Sequence, residues 1–300
     1  MIRPKRLAPV QLRQDRVFFR KRLIFRAWGA TQEIRAAAVA GLFYPWEADK
    51  LSRDIQVMCK GAAQMNVLPG VLKALIVPHA GYIYSGPVAA SAYASLFPLR
   101  DTIRCVVLLG PTHRVPVSGL ALPGVQAFET PLGRIPVDQD AVHLIKPLRQ
   151  VSTSPAAHEL EHSIEVQLPF LQMLLSGFQV VPLAVGSATP EAVAEVIEVL
   201  WGGPETLIVV SSDLSHYHPY DLAQKMDRHT CASITELQQL DSHEQACGAT
   251  PVNGLLLAAR HHSLTPHLLD LRNSGDTAGD RDRVVGYAAF AFTEEPSHGD

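Results

Sequence analysis

The chain has 300 residues, 47% hydrophobic and 18% charged, with a formal charge of −3. That is enough apolar material for a core and too little positive charge for nucleic acid to be the main partner. No apolar run nears the ~18 residues of a membrane span, and four scattered cysteines make no disulfide framework. The expected product is soluble, lies in a reducing, cytoplasmic compartment and has no membrane span.

The charge is uneven. Residues 1–26 carry nine Lys/Arg against the single acid Asp15, so the rest of the chain is strongly acidic. This head has no continuous apolar stretch of the secretory kind. It reads as a basic, disordered N-terminal extension over residues 1–33.

In chain order, Lys73–Val77 is an apolar run stopped by Pro78 and reads as a buried strand. Pro87–Phe97 reads as a helix. Arg104–Leu109 is a second strand, closed by Gly110-Pro111, and Val180–Val185 and Thr206–Ser211 repeat the pattern around a helix over Pro190–Leu200. Leu222–Leu240 and Val252–Arg260 read as amphipathic helices, and Val284–Phe292 as a closing strand. Such alternation predicts a single α/β domain, with a central parallel or mixed sheet covered by helices on both faces.

The residues just beyond the strands carry the chemistry. Ligands in open α/β sheets bind outside the carboxyl ends of the strands. There the sequence places His79, then His113, then Asp213 and His216. These residues are expected to share one polar site. Cys247-Gly248, in a loop before a helix, adds a thiol whose pKa should be lowered by the helix N-terminus. Cys59, Cys105 and Cys231 read as small buried apolar residues.

Residues 158–162 (HELEH) satisfy the His-Glu-x-x-His pattern, but Pro155 and Pro169 keep any helix short, so a zinc protease is disfavoured. On a helix, His158 and His162 would share one face, as would Glu161 and Glu165. Glu161, His162 and Glu165 are better placed to orient ligands than to bind metal. Asn273-Ser274-Gly275-Asp276 reads as a turn. His218, His229, His243, His261, His262, His267 and His298 have no partner at interpretable spacing.

Eight motifs in order carry a resemblance: AVAGLFYP from Ala38, PHAGYIYSGPVAA from Pro78, GPTH from Gly110, ETPLG from Glu129, EHSIEVQLPF from Glu161, VPLAVG from Val181, SSDLSHY from Ser211 and CGATPV from Cys247. In these the chain resembles the Memo family, whose prokaryotic members are called AmmeMemoRadiSam system protein B. The likeness covers residues 34–293 and leaves 294–300 as a tail.

The resemblance implies a fold similar to class III extradiol ring-cleavage dioxygenases. It also implies one metal ion on His79, His113 and Cys247, with Asp213 and His216 as catalytic pocket residues. The metal would be iron(II) or copper, with zinc as a third option. Arg114 stands where some members have a second His. Cys247 replaces the carboxylate of a two-His-one-carboxylate site, which departs from the dioxygenase pattern.

Two functions fit this pattern. The first is a metal-dependent redox enzyme acting on an unidentified small molecule or peptide, with His216 moving protons and oriented by Asp213. The second is a non-catalytic module that binds a metal, an anion or a phosphopeptide and works with AMMECR-type and radical SAM proteins.

Overall fold

The computed structural model describes residues 34–62 and 68–295. The basic head and the last five residues lie outside them, as does the expected disorder of the head. Twelve strands are seen among the described residues: β1 (Ile34–Arg35), β2 (Val71–Val77), β3 (Cys105–Pro111), β4 (Leu120–Leu122), β5 (Ala127–Thr130), β6 (Gly133–Pro136), β7 (Val151–Thr153), β8 (Gln179–Val185), β9 (Thr206–Ser211), β10 (His216–His218), β11 (Thr265–Asn273) and β12 (Val284–Glu294).

The large sheet runs β10-β12-β2-β9-β3-β8-β4-β7, with β11 also paired to β12. Its centre, β2, β9, β3 and β8, is parallel. β12 joins β2 antiparallel and β4 joins β8 antiparallel, so the sheet is mixed. β1, β5 and β6 make a small separate sheet.

Central strands read as continuous apolar runs because both their faces are covered. Leu75, Val77, Val106, Leu108, Leu207 and Val209 belong to one core, and Ala74, Ile76, Val107, Leu109, Ile208 and Val210 to the other. Helices α1 (Ala48–Ala62), α2 (Tyr82–Tyr93) and α5 (Leu168–Leu174) contribute to the first core; α6 (Pro190–Val199), α7 (Tyr220–Thr235) and α8 (Ala249–His261) fill the second. Shorter α3 (Gln139–Ile145), α4 (Pro155–Glu159) and α9 (Ser274–Thr277) lie in the connections. No described helix is long and apolar enough to cross a membrane.

Several helix boundaries differ from those expected. α2 begins at Tyr82 with Pro87 inside it and passes into a 3₁₀ turn at Ala94. α7 stops at Thr235, because Leu237 takes a left-handed φ of 56° and Asn253 clasps the Leu240 backbone at 2.7 and 2.9 Å. α8 starts three residues early, at Ala249. Asn273 and Asp276 cap each other's backbone, which makes the expected turn the short helix α9. The expected helix through the HELEH segment ends at Glu159, so no helix face aligns His158 with His162 or Glu161 with Glu165.

Candidate metal centre

β2 and β9 end side by side, Val77 opposite Ser211, and β3 finishes beside β9. His79 lies two residues beyond β2, His113 two beyond β3, and Asp213 two beyond β9. Two glycines let the remaining segments close on this edge. A Cβ at Gly110 would stand 2.6 Å from Ser163 Oγ, and one at Gly248 would stand 2.7 Å from Ser212 Cβ. Without those side chains, the 161–165 segment reaches β3 and the Cys247 loop reaches β9.

His79 is buried, and its backbone N–H donates to Asp213 Oδ1 at 2.7 Å. Its Nδ1 lies 2.9 Å from Ser211 Oγ, which itself donates to Ser163 O at 2.6 Å. Ser211 therefore accepts from His79, and this network assigns the ring proton to Nδ1, leaving Nε2 unprotonated as an acceptor. That Nε2 lies 3.2 Å from Cys247 Sγ.

Glu161 organises the other two rings. Its Oε1 sits 2.9 Å from His113 Nδ1 and 3.2 Å from His162 Nδ1, and accepts the backbone N–H groups of His162 and Ser163 at 2.9 and 3.0 Å. Its Oε2 accepts the His113 backbone N–H at 2.7 Å. Burial alone would raise the Glu161 carboxyl, but these donors outweigh it and hold it well below the usual carboxylate range. An ionised acceptor keeps both ring protons on Nδ1, so His113 and His162 also offer Nε2. The three imidazoles pack with centroids 4.6–5.4 Å apart, and their ligand nitrogens lie within 4.8 Å of one another.

His162 thus belongs among the rings themselves, not only behind them as the sequence suggested. The missed signal was its position directly after Glu161, which lets one carboxylate serve both His113 and His162. Glu165 does different work. It ion-pairs with Arg35 and accepts from Tyr44 Oη at 2.6 Å and from the Ala38 and Val39 amides at 2.8 and 3.0 Å. It fastens the 35–44 segment, whose Phe43 ring packs 4.6 Å from His162. His158 turns away and bonds Ala121 O at 2.7 Å through Nε2, so the His-Glu-x-x-His match forms no zincin site.

Burial, assisted by the neighbouring imidazoles, holds His79 well below the usual histidine range, so it is neutral. Burial also pushes the Cys247 thiol up to about 12. The lowered thiol pKa expected at a helix N-terminus is not found, because desolvation outweighs the helix dipole. Burial likewise raises the Asp213 carboxyl. His216 is half-buried and its Nδ1 is held by Leu214 O at 2.8 Å, so the backbone orients it and Asp213 does not. Cys59 and Cys231 are buried in α1 and α7 as expected, whereas Cys105 is only half-buried because it is the first residue of β3.

A mixed α/β sheet carrying clustered, pre-oriented imidazoles at its carboxyl edge makes this a protein with a candidate metal site. The Memo-like protein family model matches residues 35–291, and the chain belongs to that family. Relatives include a MEMO1 family protein of Sulfolobus acidocaldarius, 34% identical over 86% of this chain and 99% of its own. Another, from Methanosarcina barkeri, is 36% identical over 86% and 99%. An uncharacterized Escherichia coli K12 protein of known structure aligns over 73% of this chain and 99% of its own, with 14% identity and a TM-score of 0.49.

Proposed function

We propose that this protein is a metal-dependent oxidoreductase that holds one metal ion at the carboxyl edge of the sheet. The assigned ligands are His79, His113 and Cys247, whose Sγ reaches the cluster 3.2 Å from His79 Nε2, and the His162 ring packs against both imidazoles. The arrangement of the three rings carries this reading. Each is anchored through Nδ1, which leaves each Nε2 unprotonated, and one ligand nitrogen from each lies within 4.8 Å of the others. Imidazole and sulfur donors suit iron(II) or copper first and zinc third, and they do not suit magnesium or calcium. Bound there, an iron or copper ion supplies one-electron chemistry toward an oxidisable small molecule or peptide.

The chain's own residues do the rest. Glu161 fixes the His113 and His162 rings and raises their basicity toward a cation. Asp213 positions His79 through its backbone N–H. Cys247 ligates as thiolate, so it loses its proton when metal enters, and metal uptake weakens as pH falls. His216, half-buried with Nδ1 tied to Leu214 O, is assigned to take or return a substrate proton through Nε2, and the buried Asp213 is the second acid of the pocket.

The test is anaerobic purification without an affinity tag, metal quantification, and oxygen uptake across candidate substrates. The wild type should carry one equivalent of iron or copper at this edge. Cys247→Ser and His113→Asn should lower that content at least tenfold, while Cys59→Ser leaves it alone. Full metal content in Cys247→Ser would remove Cys247 from the ligand set. Metal-loaded protein that consumes no oxygen with any substrate would overturn the oxidoreductase reading in favour of a binding module.

A further inference from the structure

The opposite end of α8 holds a second group of the same chemistry. Cys247 and Gly248 precede its first turn, and His261 and His262 close its last. At 1.5 Å per residue, the thirteen residues Ala249–His261 separate the two ends by about 20 Å. His261 Nδ1 lies 2.9 Å from Glu198 Oε1, and His262 Nε2 lies 2.8 Å from Glu198 Oε2. Glu198 stands at the last turn of α6, so the cluster joins the carboxyl ends of two packed helices.

From this juxtaposition we propose that Glu198, His261 and His262 form a second metal site, for a borderline divalent ion such as zinc, copper(II) or nickel. One ligand atom from each residue lies within 4.8 Å of the other two. Two ligand atoms on one tetrahedral ion with bonds of ~2.1 Å lie about 3.4 Å apart, so small side-chain rotations close the site. Two nitrogens and one carboxylate oxygen select borderline ions over magnesium and calcium.

The setting favours a cation. Carbonyl groups at the end of α8 give it the negative end of a helix dipole. His262 is held in place by its ring, which stacks flat on Trp201 at 3.6 Å and 8°. His261 is 71% exposed, so the site opens to solvent. Each imidazole now donates its ring N–H to Glu198. On binding, that proton shifts to the other ring nitrogen and the lone pair turns to the ion, with no net loss of protons or electrons.

Trp201 provides a readout that the first site does not share. Copper(II) added to tag-free protein should quench Trp201 fluorescence, and calorimetry with zinc should show one equivalent more than in His261→Asn or Glu198→Gln. In those two variants the quenching should weaken at least tenfold in copper concentration. Trp201→Phe should abolish the quenching and keep the zinc equivalent, which separates Trp201 from Trp28 and Trp46. Cys247→Ser should leave this copper response unchanged. Equal zinc stoichiometry and equal quenching in wild type, His261→Asn and Glu198→Gln would overturn the proposal. So would quenching that survives in Trp201→Phe.

Discussion

Glu161 and Glu198 do the same thing in different places: each carboxylate is shared by two imidazoles. Glu161 is 2% exposed and takes three further backbone N–H groups besides His113 and His162. Glu198 is 31% exposed and has His261 and His262. Around Glu161 lie a third imidazole and a thiol, while Glu198 has an indole and open solvent. Identical functional groups therefore have different worth. In the buried cluster the donors replace lost water, and removing one leaves the others stranded. In the exposed cluster water replaces whatever is taken away.

That contrast is broken most directly at Glu161. Glu161→Gln removes the charge and puts an amide N–H₂ where a donor already points. Urea unfolding should show a loss of about 3 kcal/mol, with metal content falling at least tenfold. A loss below ~1 kcal/mol would mean that burial adds nothing to the carboxylate's role.

Acid provides a second separation. His158 lies close to the first cluster and is neutral in the fold: burial first, then Arg35, outweigh Ala121 O and Glu161 and bring it down to about 4. Its Nε2 donates to Ala121 O, so the proton gained in acid would go to Nδ1, which is buried without a partner. Because the folded pKa lies below the unfolded one, this contribution is full above pH ~6.5 and is lost as pH falls toward 4. The loss is about 3 kcal/mol, flat below pH 4. Urea unfolding of wild type and His158→Gln at several pH values should converge across that window. Parallel curves would remove His158 as the cause.

Lys73 sharpens the comparison from the other side. It is buried on β2, and its ammonium donates to the carbonyls of Trp201, Gly202, Gly203 and Thr206 at 2.6–3.3 Å. It also lies 5.0 Å from the Trp201 ring centroid. Lys73→Met strands these acceptors and should cost about 2 kcal/mol in urea unfolding. The Trp201 emission should shift with it, whereas metal content at His79 and His113 should not change.

The smallest effect belongs to Glu198→Gln without metal. An exposed pair of this kind is worth less than ~0.5 kcal/mol, so its unfolding curve should overlay that of wild type. A loss approaching that of Glu161→Gln would erase the distinction between the two clusters.

How much of this was legible beforehand differs between scaffold and site. The central strands were visible as apolar runs, because a strand covered on both faces needs no alternation and declares itself by composition. The placement of His79, His113 and Asp213 came from the strand ends, since a parallel sheet brings successive carboxyl ends to one edge whatever the loops do. Eight ordered motifs were enough to mark the family.

The rest was decided by contacts far apart in sequence. Nothing local makes Glu161 bond to His113 across 48 residues, seats His162 beside His79, or sends Glu165 to Arg35. Spacing suggested one helix over residues 158–162, whereas the chain leaves the helix at Glu159 so that Glu161 can reach β3. The Cys247 thiol was expected low from its helix terminus, yet it is high because the fold buries it. Local sequence sets the backbone's preferences and the strand-end positions. Burial and long-range hydrogen bonding set each side chain's charge and partner, and these exist only once the sheet has closed.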